Sequence, residues 1–164
     1  MQPKPRVLGL DVGTRTIGIA VSDPMGWFAR PVTTIQRKSW KDDLAELAKI
    51  LQEFQAKQIV VGLPLGGNGE MTEQARYSKG AANRIHQEFP DLELHFIDES
   101  HSSEFAQEQM LATGMKKRKR KAMIDQVAAV KILQDFIDQE ALREKANAAR
   151  QKQITTNEIT GIEA

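Results

Sequence analysis

The sequence contains no cysteine among its 164 residues. That absence excludes a disulfide framework, a thiolate nucleophile and any zinc or iron–sulfur site ligated by cysteine. It also fits a reducing compartment. No apolar run approaches the ~20 residues that a membrane-spanning helix needs. The leading Met1-Gln2-Pro3-Lys4-Pro5-Arg6 opens onto a short apolar run that Asp11 interrupts, a poor match to a signal peptide. Net charge is nearly absent as well: 23 Lys and Arg against 22 Asp and Glu leave +1. What remains is ordinary for a globular protein, with 40% apolar and 27% charged residues. The length predicts one domain, large enough to hide about 68–70% of its unfolded surface. The expectation is a cytoplasmic single-domain protein with no membrane contact.

The balanced charge conceals an asymmetry. Lys116, Lys117, Arg118, Lys119, Arg120 and Lys121 are six consecutive cations. Subtracting them from +1 leaves −5 on the rest of the chain. An acidic molecule with one concentrated basic segment suggests a polyanion partner, nucleic acid above all, gripped through a local patch. A solvated segment without a partner is the plainer alternative, because basic runs are common.

Hydrophobic patterning predicts an α/β fold. Val7–Val12 and Ile17–Val21 read as a β-hairpin around Gly13-Thr14-Arg15-Thr16. Trp27–Ile35 reads as a third strand, with Pro31 pointing to an edge or a bulge. Ser39 caps a helix whose Leu44, Leu47, Ala48 and Leu51 share one face. Ile59-Val60-Val61 is a fourth strand, buried on both faces as in a parallel sheet. A helix to about Phe89 and a fifth strand through Leu92, Leu94 and Phe96 follow, the strand ending at Asp98-Glu99. Ser102-Ser103 caps a helix to about Thr113, with Gly114 beyond it. Met123–Ile137 reads as a buried helix. From Gln139 the chain turns polar, predicting a fraying helix and a disordered tail. The sum is a hairpin-led, mixed, five-stranded sheet with helices on its faces.

Three acidic positions stand out against this frame. Asp11 interrupts an apolar strand, where a carboxylate is costly unless paired, hydrogen-bonded or on a metal; capping of the following turn is the simpler role. Asp98-Glu99 closes the fifth strand, at the end where ligands collect in such sheets; favourable charge at a helix start is its simpler role. Asp125 lies early in the most apolar helix, where it also complements the helix dipole. If the three meet, their repulsion calls for cations, and hard oxygen ligands suit Mg²⁺ or Mn²⁺. Two such ions stabilise attacking and leaving oxygens in a phosphoryl displacement. The Gly62–Gly69 stretch lacks a Walker pattern and reads as an ordinary strand-to-helix loop. His86, His95 and His101 show no metal-ligand spacing and read as surface or half-buried residues.

Four ordered motifs carry a resemblance. Gly9-Leu10-Asp11-Val12-Gly13, Ile17-Gly18-Ile19-Ala20-Val21-Ser22-Asp23, Val61-Gly62-Leu63-Pro64-Leu65 and Asp125-Gln126-Val127-Ala128-Ala129 resemble the YqgF/RuvX family over residues ~6 to 138. The resemblance implies a ribonuclease H-like fold related to RuvC resolvases and a metal-dependent nuclease that matures the pre-16S rRNA. It implies a two-metal site of Mg²⁺ or Mn²⁺, with Asp11, Glu99 and Asp125 as catalytic and metal-binding residues. Residues 1–138 would form the nuclease domain and 139–164 a polar, partly disordered tail. Arg15 and the Lys116–Lys121 run would contact nucleic acid. One position departs: Ser100 stands where the family usually has Arg after its Asp-Glu pair, which removes a cation near the scissile phosphate. Alternative readings are a Holliday-junction-type DNA resolvase and a catalytically weak RNA-binding assembly factor. An actin-like ATPase module is disfavoured, because 164 residues hold only one lobe. Oligomeric state is left open.

Overall fold

The computed structural model describes residues 2–99 and 117–161, with the side chains of the second segment from residue 126 onward. Strands β1 (Arg6–Val12) and β2 (Thr16–Ser22) pair antiparallel, and the Gly13 N–H donates to the Thr16 carbonyl at 2.8 Å to close the turn. Strand β3 (Ala29–Gln36) pairs with β2 at the sheet edge. Pro31 lies opposite Ala20, where the register shifts, so both explanations of a strand proline apply. The strand starts two residues later than expected. Trp27 and Phe28 belong instead to a turn in which their N–H groups donate to the Asp23 carboxylate at 3.0 and 3.1 Å.

Helix α1 (Trp40–Phe54) begins where Ser39 accepts the Asp42 N–H at 3.1 Å and ends on Gln55 in the left-handed conformation, φ 51°. Strand β4 (Ala56–Leu63) lies parallel to β1. Helix α2 (Glu73–Glu88) is capped by Thr72, which accepts the Ala75 N–H at 3.0 Å. Strand β5 (Glu93–Asp98) lies parallel to β4. The resulting order is β3-β2-β1-β4-β5, the hairpin-led mixed sheet expected from the sequence.

Strand alternation sorts the core into two layers. Leu8, Leu10, Val12, Ile59 and Val61 face α1 and α2, meeting Leu47, Ile50, Ala82 and Ile85. Val7, Ala20, Val60 and Ile97 face the other way, onto Ala129, Ile132, Leu133, Phe136 and Ile137 of helix α3 (Lys117–Thr160). Two glycines let α3 come close. A Cβ on Gly9 would lie 2.6 Å from Leu133 Cβ and 2.9 Å from the Ala129 carbonyl oxygen. A Cβ on Gly62 would lie 2.5 Å from Ile132 Cδ1.

Helix α3 corrects the sequence reading at both ends. It is 44 residues long, not confined to 123–137. Its first turns include Lys117–Lys121, since Lys and Arg are good helix formers. From Gln139, where a fraying helix giving way to a disordered tail was expected, the helix continues to Thr160, and residues 162–164 lie outside those described. Helix propagation is inexpensive once the docked turns have nucleated it, and Gln139–Lys152 is rich in Ala, Glu, Gln, Lys and Arg. The helix predicted from Ser102 to Thr113, with Gly114, lies outside the described residues, as do Ser100, His101 and Lys116. Among the described residues no helix is long and apolar enough to cross a membrane.

One guanidinium ties the hairpin turn to both helices of the first layer. Arg37 Nε lies 3.1 Å from Asp43 Oδ2, and the two side chains are 9% and 3% exposed. The same guanidinium donates to the Gly13 carbonyl at 3.0 Å and to the Tyr77 hydroxyl, and it stacks over Trp40 at 4.4 Å. The other Asp43 oxygen accepts the Lys38 N–H at 3.1 Å.

Two expectations follow from these contacts. Gly9→Ala should cost roughly 1–3 kcal/mol, because the clash is with helix backbone that cannot give way. Gly62→Ala should cost less and be partly relieved by Ile132→Val, which removes the nearer of the two clashing side-chain carbons; urea unfolding of the three variants measures this. Arg37→Met should cost about 3–5 kcal/mol by leaving Asp43 buried and uncompensated. The double variant Arg37→Met/Asp43→Leu should recover much of that loss, and equal stability of single and double variants would refute the buried-pair account.

Candidate active site

Register brings the first two predicted carboxylates to one rim of the sheet. Leu10 pairs with Val61 across β1 and β4, so Asp11 stands beside Gly62, about 4.8 Å away at the usual strand spacing. Gly62 pairs in turn with Ile97 of β5. Glu99 follows the strand end, and its N–H donates to the Leu63 carbonyl at 3.0 Å, which continues the pairing past Asp98. Asp11, Gly62 and Glu99 share the α3 face by alternation, together with Val60 and Ile97. The Glu99 side chain leans back over Gly62, its Cγ 3.5 Å from where a Cβ there would be. The absent side chain at Gly62 leaves room for both Ile132 and the Glu99 side chain.

The two carboxylates differ in environment. Asp11 is half-buried, whereas Glu99 is only 6% exposed. Lys131, from α3, sits over Glu99 with its Nζ 3.4 Å from Oε2 and donates to Asp135 Oδ2 at 2.7 Å. The hydrogen bond to Asp135 is the main reason that the Lys131 ammonium is pushed up from 10.5, opposed by burial and reinforced by the Glu99 charge. Burial alone would raise the Asp135 carboxyl. Hydrogen bonding with Glu99 and Lys131 outweighs that and holds it below its usual 3.8.

Helix α3 runs back along β1. Phe136 and Ile137 lie near Val7, and Leu133 and Ala129 lie over Gly9. Asp125 is one helical turn before Ala129, about 6 Å along the axis. Asp11 is two residues past Gly9, a similar distance along the strand. The backbone register thus aligns these two positions, although the Asp125 side chain lies outside those described. Among the described residues, no three His, Cys, Asp or Glu side chains form a group able to hold a metal.

Of the predicted nucleic-acid contacts, Arg15 is exposed in the hairpin turn just past Asp11. The basic run is helical from Lys117, and its side chains are outside those described. The Gly66–Gly69 segment is a turn held by the Gly69 N–H on the Gly66 carbonyl at 2.9 Å, an ordinary strand-to-helix loop. His86 and His95 are half-buried, the latter with its ring 4.9 Å from that of Phe136. A cavity of about 700 Å³ lies at the opposite end of β1, lined by Lys4, Val7, Trp27, Phe136 and Glu144, away from the carboxylates.

Sequence reasoning missed Lys131 and Asp135. The readable signal was a Lys–Asp pair four residues apart on a helix that faces the sheet through Ile132 and Leu133. It also missed Arg37 and Asp43, whose charges carry no periodic signature.

Residues 5–139 match the RuvX family, described as Holliday junction resolvase. A protein of Moorella thermoacetica is 41% identical over 133 residues, covering 81% of this chain and 94% of its own. One of Syntrophomonas wolfei is 44% identical with the same coverage. Both are named as candidate pre-16S rRNA nucleases. Among solved structures, Thermus thermophilus RuvC in complex with Holliday junction substrate superposes with a TM-score of 0.51 at 15% identity, over 83% of this chain and 96% of that one. The fowlpox virus Holliday junction resolvase gives 0.52 at 10% identity, over 82% and 98%. These two establish the ribonuclease H-like fold. With the match spanning most of the sequence, the chain belongs to the RuvX family.

Proposed function

We propose that this protein is a cytoplasmic, metal-dependent phosphodiesterase that cleaves structured RNA in the maturation of the pre-16S rRNA end. What supports the reading is the placement of Asp11 and Glu99 on the α3 face, on either side of Gly62, at the carboxyl end of the parallel strands. The names of its relatives in the family supply the substrate class.

The donor chemistry fits a hard divalent cation, because carboxylate oxygens suit Mg²⁺ or Mn²⁺. Asp11, Glu99 and Asp125 would hold it, Glu99 from a buried position and Asp11 from a half-buried one. Such an ion supplies Lewis acidity for displacement at phosphorus. The protein's own part is to hold the scissile phosphate in line and to exclude competing geometry. Arg15, exposed next to Asp11, would contact a backbone phosphate, and the Lys116–Lys121 run would grip the flanking strand without reading sequence. Ser100 offers no fixed charge at the family's arginine position, so phosphate charge would be met from Arg15 or the basic run.

The family's description favours a second reading, a resolvase of four-way DNA junctions. Incubation with pre-16S rRNA and with a four-way junction, each with and without Mn²⁺, separates the two. Cleavage of the RNA alone is expected, and cleavage of the junction alone would transfer the assignment to DNA. Glu99→Gln and Asp125→Asn should each reduce metal-dependent cleavage to background while the fold is kept. Full cleavage by a folded variant would remove that residue from the machinery. Replacing Lys116–Lys121 by Gln should flatten the salt dependence of binding, by about 0.7 per lost contact on single strands and about 0.9 on duplex DNA. An unchanged slope would make the run a bystander.

A further inference from the structure

We propose that Lys131 is a built-in counter-cation of Glu99, held in reserve by Asp135 and exchanged for the divalent metal when the site loads. The proposal rests on the metal-dependent reading above and assigns a role to residues which that reading does not use.

Glu99 is a carboxylate almost wholly withdrawn from water, and a buried charge needs an opposite charge or hydrogen bonds to remain ionised. A metal ion meets that need only when it is bound. Without it, the ammonium 3.4 Å from Oε2 and hydrogen bonding with the Asp135 carboxyl serve instead. Lys131 is well placed for a temporary contact. Its shorter link, 2.7 Å, is to Asp135, on the next turn of the same helix. Both of these side chains are more than a third exposed, while Glu99 is not. The ammonium can leave Glu99 and remain paired with Asp135, so the exchange strands no bare charge. Ile132, packed over Gly62, fixes the helix turn from which Lys131 reaches.

An ammonium and a divalent cation on one carboxylate oppose each other, which makes Lys131 a competitor for the metal. Titration of the metal-free full chain with Mn²⁺ by calorimetry tests this. Lys131→Met should bind Mn²⁺ about tenfold more tightly, a modest share of the interaction between unit charges at this separation. Lys131→Arg should behave as wild type. In the Glu99→Gln background the gain from Lys131→Met should vanish, because the contested carboxylate is gone. Asp135→Asn, which frees the ammonium from its shorter contact but also removes a carboxyl group hydrogen-bonded with Glu99, should weaken Mn²⁺ binding where Lys131 is present and not in a Lys131→Gln background. It serves as the second test should Lys131→Met fail to fold.

Equal or weaker binding by Lys131→Met overturns the exchange, as does a gain that survives Glu99→Gln or an Asp135→Asn variant that binds as wild type. If wild type binds Mn²⁺ in a Glu99-dependent way and Lys131→Met does not differ, the exchange alone fails and the metal reading stands. If neither wild type nor Lys131→Met binds Mn²⁺, both fail together. Binding by Lys131→Met where wild type shows none supports the exchange in its strongest form.

Discussion

The close seating of α3 on the sheet is the constraint on which the rest of the structure depends. Helix backbone and strand backbone approach at Gly9 so closely that even a methyl group would overlap the Ala129 carbonyl. At Gly62 the same absence of a side chain admits Ile132 and lets Glu99 fold inward. These glycines are explained by close approach, since neither adopts a left-handed backbone conformation. A single helix–sheet contact thus sets the core of one layer and the placement of Lys131 over Glu99.

Electrostatics at the carboxyl ends of β1, β4 and β5 follow from that seating. A sheet of this topology gathers strand-end residues at one rim, and here the rim carries Asp11 and Glu99. Helix α3 adds a lysine above Glu99 and an aspartate one turn further on. The rim is therefore neither purely acidic nor neutral. It sets one ammonium among three carboxyl groups. The Arg37–Asp43 pair does a different task nearby: it fixes the Gly13 turn, and with it the exposure of Arg15, by bonds that are themselves sealed from water.

Much of this was readable in the sequence because it is written in period and punctuation. Alternation gave the hairpin, the apolar run Ile59-Val60-Val61 gave the central parallel strand, and Ser39 and Pro31 marked a cap and an edge. The places of Asp11 and Glu99 in the fold were legible because carboxylates are conspicuous in apolar strands and at strand ends. Lys131, Asp135, Arg37 and Asp43 were not. Each sits among ordinary polar residues, and its partner is chosen by tertiary geometry that no local pattern encodes. Trp27 and Phe28 misled for the opposite reason: they have strong strand propensity, but the Asp23 carboxylate captures their N–H groups for a turn.

The length of α3 was misread because polarity was taken as a sign of disorder. The buried residues of the helix end at Ile137, and the family match ends at residue 139, so packing and ancestry stop at the same turn. The described residues beyond it are exposed apart from half-buried Glu140 and Asn157, and the contact of Lys4 with Glu144 at 3.4 Å is itself exposed. An isolated peptide of that composition would be marginal as a helix in water, because each new helix must overcome an unfavourable nucleus. This segment faces no such barrier. The turns from Ala128 to Ile137 are held helical by the sheet, and every residue added after them needs only propagation. The extension is thus a consequence of the docked core and contributes little to it. The stability of the ribonuclease H-like layer is decided between Val7 and Ile137, where the glycines, the carboxylates and Lys131 all lie.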